Sequence, residues 1–331
     1  LYLFLFTFSS PIWKGIGRLT ILLFYQLRQN DALNKQLSPI KIQSTQKRFS
    51  MLQKNIELTV LCENSVAGPF GLIGEHGWAV GITTSSIRIL FDTGQGFGIL
   101  QNSEVLDFDL SKINAIVLSH GHYDHCSGLP LVLPLSGKTD VYIHEQGFGR
   151  RCHRYKGTVR DIGIRDQQSS LESLGAHFIF NKDFTKITEG IYLSGEIPRV
   201  NSHEKSDPRL VREDASKELS LDPLLDDQTL IIDSKEGLIL LLGCAHAGLI
   251  NILQYVQQKL PERPIHTIIG GTHLGFAGDE QFTATVDALH SFDIKCLAAS
   301  HCTGLERGAE LAKSFGSTFR FAPVGTKINI P

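Results

Sequence analysis

Ser119-His120-Gly121-His122-Tyr123-Asp124-His125 follows directly on the apolar run 115–118, and its reading decides the fold. Four potential ligands fall within six residues, in a chain with only 13 histidines. His120 and His122 are two apart, so an extended backbone sends both rings to one side. Asp124 and His125 fall where the chain turns into the next element. Imidazole nitrogen combined with carboxylate oxygen suits a divalent cation, zinc first, with iron or manganese as alternatives. Gly121 reads as leaving room for backbone to approach the metal.

Working outward, the same pattern recurs. A short apolar run ends in a small loop containing Gly and His at 115–128, 238–248, 266–275 and 296–304. Continuous apolar strands are buried on both faces and need covering layers. After the second run, Leu249, Ile252, Leu253, Val256 and Leu260 recur at helical spacing, and similar sets follow the third and fourth. Strands alternating with amphipathic helices predict an α/β layered domain. The segments Ile56–Cys62, 78–83 and 87–92 read as earlier strands. Functional loops gather at strand ends in such folds, which makes His246, His301 and His273 the remote ligand candidates. Asp92 ends an apolar strand before a Gly turn, where a carboxylate could fix the tautomer of a ligand histidine. Cys244 reads either as a soft bridging ligand or as a small buried side chain. Arg199 is a candidate for a substrate phosphate or carboxylate, and the helix after Gly248 offers free backbone N–H groups to an anion. The segment 201–227, with Pro208 and Pro223, reads as a long excursion over the surface, either a lid or a solvated insertion.

Composition narrows the class. The chain has 331 residues, 42% hydrophobic and 20% charged, enough for a sizeable core. Residues 1–50 carry a net charge of +6 and the remainder −8. An acidic body argues against a surface that tracks a nucleic-acid backbone and favours a small-molecule substrate. Six scattered cysteines with no CxxC pair read as reduced thiols of a cytoplasm-like compartment. No apolar run approaches the roughly 20 residues of an integral membrane span. Residues 1–50 are expected to be a leader, either a basic transit-like segment directing an organellar location or a non-native extension before Met51. Residues 51–331 are expected to form one domain.

His120-Gly121-His122-Tyr123-Asp124-His125 matches the HxHxDH signature of the metallo-β-lactamase superfamily, and Phe91-Asp92-Thr93-Gly94 matches the strand-end Asp motif that precedes it. The resemblance covers nearly everything after Met51 and implies a four-layer αββα sandwich with two metals at one edge. The segments 118–129, 194–199, 243–251, 270–274 and 300–304, in that order, resemble the dihydropteroate-synthase-like branch, named after a dihydropterin-condensing synthase of methanopterin biosynthesis. Carried over residue by residue, His120 and His122 would bind the first metal, and Asp124 and His125 the second. His301 stands in the place of the final superfamily histidine. The usual third histidine motif and bridging Asp are not evident, so the expectation is that His246 supplies the missing ligand, with water alone as one form of the bridge. The resemblance implies a binuclear metal-dependent hydrolase or transferase, with Asp124 also orienting or deprotonating water.

Overall fold

Every residue of the strand Gly237–Leu242 is buried, yet successive side chains meet different neighbours. Leu238, Leu240 and Leu242 pack with Leu249, Ile252, Leu253 and Val256 of the helix that follows. Ile239 and Leu241 instead join Val60, Val80 and Phe91 from another part of the chain. The two-residue period of a strand thus sends alternate residues into two separate cores. Each fully buried Leu or Ile contributes about 1.5–3 kcal/mol.

The computed structural model describes residues 52–331 except Pro69 and Ala215, and the expected leader 1–50 lies outside the described residues. One seven-stranded sheet runs β18 (Lys327–Ile330), β1 (Ile56–Cys62), β2 (Ala79–Thr83), β3 (Arg88–Phe91), β4 (Ala115–Val117), β5 (Thr139–His144), β8 (Ala176–Asn181). A second runs β17 (Phe319–Phe321), β16 (Cys296–Ser300), β15 (Ile265–Gly271), β14 (Gly237–Leu242), β13 (Leu230–Ser234), β10 (Ile191–Leu193), β9 (Thr185–Thr188). Their facing sides share one apolar core. The outer side of the first sheet packs on Ile99, Leu129, Val132, Leu133 and Leu171 from three helices. The outer side of the second is covered by Leu249–Lys259, Asp279–His290 and Leu305–Phe315. This is the expected αββα sandwich, and the three early strands fall where periodicity placed them.

A third, smaller sheet was not foreseen: β12 (Leu219–Leu221), β11 (Leu210–Glu213), β6 (Arg151–Tyr155), β7 (Thr158–Asp161). Two of its strands come from the segment read as a surface excursion. It is tied down by Arg151, whose Nη1 lies 2.7 Å from Asp222 Oδ2 and whose Nη2 lies 2.8 Å from Asp226 Oδ1, all three residues buried. Among the described residues no helix is long and apolar enough to cross a membrane.

Candidate metal centre

Strands β3 and β4 are parallel, with Phe91 opposite Val117, so Asp92 and Ser119 emerge together at one end of the first sheet. Strands β14, β15 and β16 are also parallel and deliver His246, His273 and His301 to one end of the second. The two sets meet at the edge of the sandwich.

Two ligand groups result. His120, His122 and His246 each offer one atom, all within 4.8 Å of one another. His76, Asp124 and His301 form a second such group, and His125 joins His120 and Cys244 between them. Ring centroids of His120 and His246 lie 4.9 Å apart, and those of His125 and His301 5.1 Å apart. Asp124 Oδ2 is 3.4 Å from His301 Nε2 and 3.9 Å from His125 Nε2. All four members of the signature, with His246 and His301, are therefore brought together.

The donor chemistry fits cations. His122 Nε2 and His246 Nε2 are buried without a hydrogen-bond partner among the described residues. Leaving such an atom unsatisfied costs about 1–3 kcal/mol. Burial, with the neighbouring histidines adding to it, holds the His120 and His246 pKa values well below the ordinary range, which keeps these rings neutral with a lone pair to donate. Burial also opposes charge on His125, but Asp92 and Asp124 outweigh it and raise its pKa to about 9. Cys244 Sγ lies 3.2 Å from His125 Nε2, at the junction of the two groups.

The supporting shell explains why the ligands converge. Asp92, fully buried at φ 58°, accepts from Ser119 N through Oδ1 and meets both Ser119 Oγ and His125 Nδ1 through Oδ2, all at 2.7 Å. With Nδ1 against Asp92, His125 presents its Nε2 to Cys244 and Asp124. Ala245, His273 and His301 also sit at φ between 53° and 57°. Left-handed non-glycine residues cost about 1–3 kcal/mol each and persist where the surroundings over-determine them. Gly121 is needed for a different reason from the one its sequence suggested. A Cβ there would lie 2.0 Å from the carbonyl oxygen of Gly147, so the close approach is backbone to backbone.

Three further parts complete the site, and of these only the acid pair Asp226 and Asp227 was missed in the sequence. His76 reaches Asp124 Oδ2 at 3.2 Å while its side chain stays half-exposed at the cavity mouth. Asp226 Oδ2 accepts from Gly121 N at 2.8 Å, and Asp227 Oδ2 from Ala247 N at 2.8 Å, so adjacent buried acids brace both ligand loops. Burial raises the Asp227 pKa to about 6. Glu63 Oε1 and Asn64 Oδ1 likewise hold His301, through its N–H at 2.8 Å and its Nδ1 at 3.1 Å.

Other candidates are placed differently. The Arg199 guanidinium donates to the carbonyls of His246 and Leu224, so it supports the His246 loop and does not line the cavity. The first turn of Leu249–Lys259 is not open to an anion, because Glu204 accepts from Ile250 N at 2.7 Å and Asn251 N at 2.8 Å. His273 lies beside His246, ring centroids 4.4 Å apart, in a separate group with Cys244 and Cys302, and its Nε2 is 3.6 Å from Asp207.

A family model described as the metallo-beta-lactamase superfamily matches residues 74–234. An uncharacterized protein of Methanocaldococcus jannaschii is 32% identical over 276 residues, spanning 82% of this chain and 100% of its own length. The chain belongs to the metallo-β-lactamase superfamily. A second M. jannaschii relative, named 7,8-dihydropterin-6-methyl-4-(beta-D-ribofuranosyl)-aminobenzene-5'-phosphate synthase, is 26% identical over 279 residues, 80% of this chain and 93% of that protein. Among solved structures, Tm1679, described as a metal-dependent hydrolase of the beta-lactamase superfamily, superposes with a TM-score of 0.71. Its sequence is 25% identical, over 83% of this chain and 99% of that one. Zinc-bound PqqB from Methylobacterium extorquens shares the metallo-β-lactamase fold alone, with a TM-score of 0.50 at 11% identity, over 83% of this chain and 100% of that one. Metallo-β-lactamase proteins usually bind divalent metals, and the His, Asp and Cys groups described above could hold them.

Proposed function

We propose that this chain is a binuclear metal-dependent enzyme acting on a small phosphorylated or pterin-like substrate by group transfer or hydrolysis. The observation that carries the reading is the pair of ligand groups with inward, unpartnered imidazole nitrogens at His122 and His246. His120, His122 and His246 would hold one cation, and Asp124, His125 and His301 the other. The sulfur of Cys244 at their junction favours zinc or iron over manganese. Two divalent cations held there would supply Lewis acidity toward attacking and leaving oxygens and would acidify water.

The protein's own groups define the rest. Asp92 orients His125, while Asp226 and Asp227 fix the loops of His120–His122 and His246. Asp124 Oδ2 faces His76 Nε2, which links the buried carboxylate to solvent and is positioned to exchange a proton at the cavity mouth. The cavity, about 240 Å³, is lined by Tyr123, Phe276 and Ile162 beside the ligands, which suits a flat, partly apolar substrate. Its size and the acidic body favour a small molecule over a nucleic acid. The synthase relative supports transfer to or from a pterin, and Tm1679 supports hydrolysis.

Elemental analysis of the full chain beside His122→Ala, with bis(p-nitrophenyl) phosphate turnover on the same samples, tests this. The expected result is about two metals per chain, falling in the variant together with turnover. Two metals without turnover would direct the assay to pterin condensation. No bound metal after reconstitution would overturn the reading.

A further inference from the structure

The third sheet closes one side of the metal cavity, and its polar face has no explanation in the ligand set. His153 and Arg160 both line the cavity, and they are direct cross-strand partners in the antiparallel pair β6–β7. Directly opposed residues project to the same face. On the neighbouring strand Leu210 is the register partner of His153, and it lines the cavity too. The sheet therefore aims a guanidinium and an imidazole at the space above the metal ligands.

Two cationic or potentially cationic groups set opposite each other destabilise a strand pair unless an anion lies between them. No carboxylate among the described residues fills that role. Asp207, on the cavity wall, is taken by Arg209, whose Nε donates to its Oδ1 at 2.9 Å. Asp124 is engaged by His76 and His301. Asp161, next in sequence, lies on the other side of the strand and pairs with Arg150 at 3.4 Å. Arg160 is exposed and has no ion pair or hydrogen bond among the described residues.

We propose that His153 and Arg160 form an oxyanion subsite that binds a phosphate or carboxylate at the end of the substrate remote from the metals. Tyr123 and Phe276 line the same cavity as His153 and Arg160, so the ligand class is a flat ring bearing a distal oxyanion. A planar guanidinium fork matches either oxyanion, and the adjacent imidazole adds one more donor. The subsite rests on the proposed function only for which end of the substrate reacts. Its test is therefore made by binding, independent of turnover.

Phenyl phosphate and benzoate are titrated by calorimetry into the zinc-reconstituted full chain, with metal content measured for every sample. Arg160→Ala is expected to weaken phenyl phosphate about tenfold or more, and Arg160→Lys by less, because charge survives without the fork. His153→Ala is expected to weaken it several-fold. Arg154→Ala serves as the control, removing an equal charge from β6 one residue beyond His153, where the side chain projects to the opposite face, and should change affinity less than about twofold. Benzoate binding with the same Arg160 dependence would assign the subsite to oxyanions in general; its absence would restrict the subsite to phosphate. Unchanged phenyl phosphate affinity in Arg160→Ala at full metal content would place the anion on the metals alone and overturn the proposal. So would a wild-type chain that binds neither probe. Loss of binding in Arg160→Ala in a protein that shows no phosphodiester turnover would keep the subsite and retire hydrolysis.

Discussion

Asp92→Asn is the sharpest perturbation of the centre, because it changes charge and proton pattern while leaving shape and backbone almost untouched. Asparagine tolerates the left-handed region as well as aspartate does, so φ 58° at this position adds no new strain. One oxygen remains to accept from Ser119 N. The other is replaced by an NH₂ facing both His125 Nδ1 and Ser119 Oγ, each at 2.7 Å. Two donors cannot face each other there, so His125 must surrender its Nδ1 proton and carry it on Nε2, the nitrogen that faces Cys244 and Asp124. That nitrogen then has no lone pair for a cation. Loss of an orienting partner of this kind typically costs 10–100-fold in metal affinity, about 1.4–2.8 kcal/mol. Losing hydrogen bonds to a charged acceptor adds roughly 1.5–3 kcal/mol each as an upper bound on fold stability. Competition against a fluorescent zinc chelator reads the first quantity, and thermal unfolding of the metal-stripped protein reads the second. A folded Asp92→Asn protein that binds both equivalents of zinc within twofold of wild type would refute the tautomer argument.

Two further outcomes follow from the same shell. Gly121→Ala would force the His120–His122 backbone away from Gly147 by about 1 Å, and turnover should fall about a hundredfold with the fold retained, as read by kinetics and circular dichroism. Glu204→Ala removes the acceptor of two helix N-terminal donors and should lower stability by about 1–2 kcal/mol in denaturant unfolding, whereas Glu204→Gln should cost less, since burial already pushes this carboxyl toward its neutral form.

What was readable in the sequence had short range or strict period. The run His120–His125 carried its chemistry within six residues, and β14 betrayed its burial by unbroken apolar content. Asp92 was legible because a carboxylate ending an apolar strand has few other uses. Asp226 and Asp227 were not, because nothing local distinguishes a buried acid from a solvated one. Their partners, Gly121 N and Ala247 N, are known only once the sheets are stacked. The third sheet escaped for a related reason: Thr158–Asp161 is exposed throughout, so it has no apolar alternation to show. Arg199 and the helix at Leu249 were read as sites for a substrate anion, but the protein's own His246 and Leu224 carbonyls and Glu204 carboxylate already occupy them.

The two ligand groups draw on opposite sheets, and this imposes an order in time. During synthesis, His120 through His125 and their partner Asp92 are finished long before β14, β15 and β16 exist. Half a site offers a passing cation too few donors to compete with the rest of the cell. Contacts so distant along the chain close late in folding. A cation held by residues of both sheets would therefore certify maturation, since it requires the last strands to have docked.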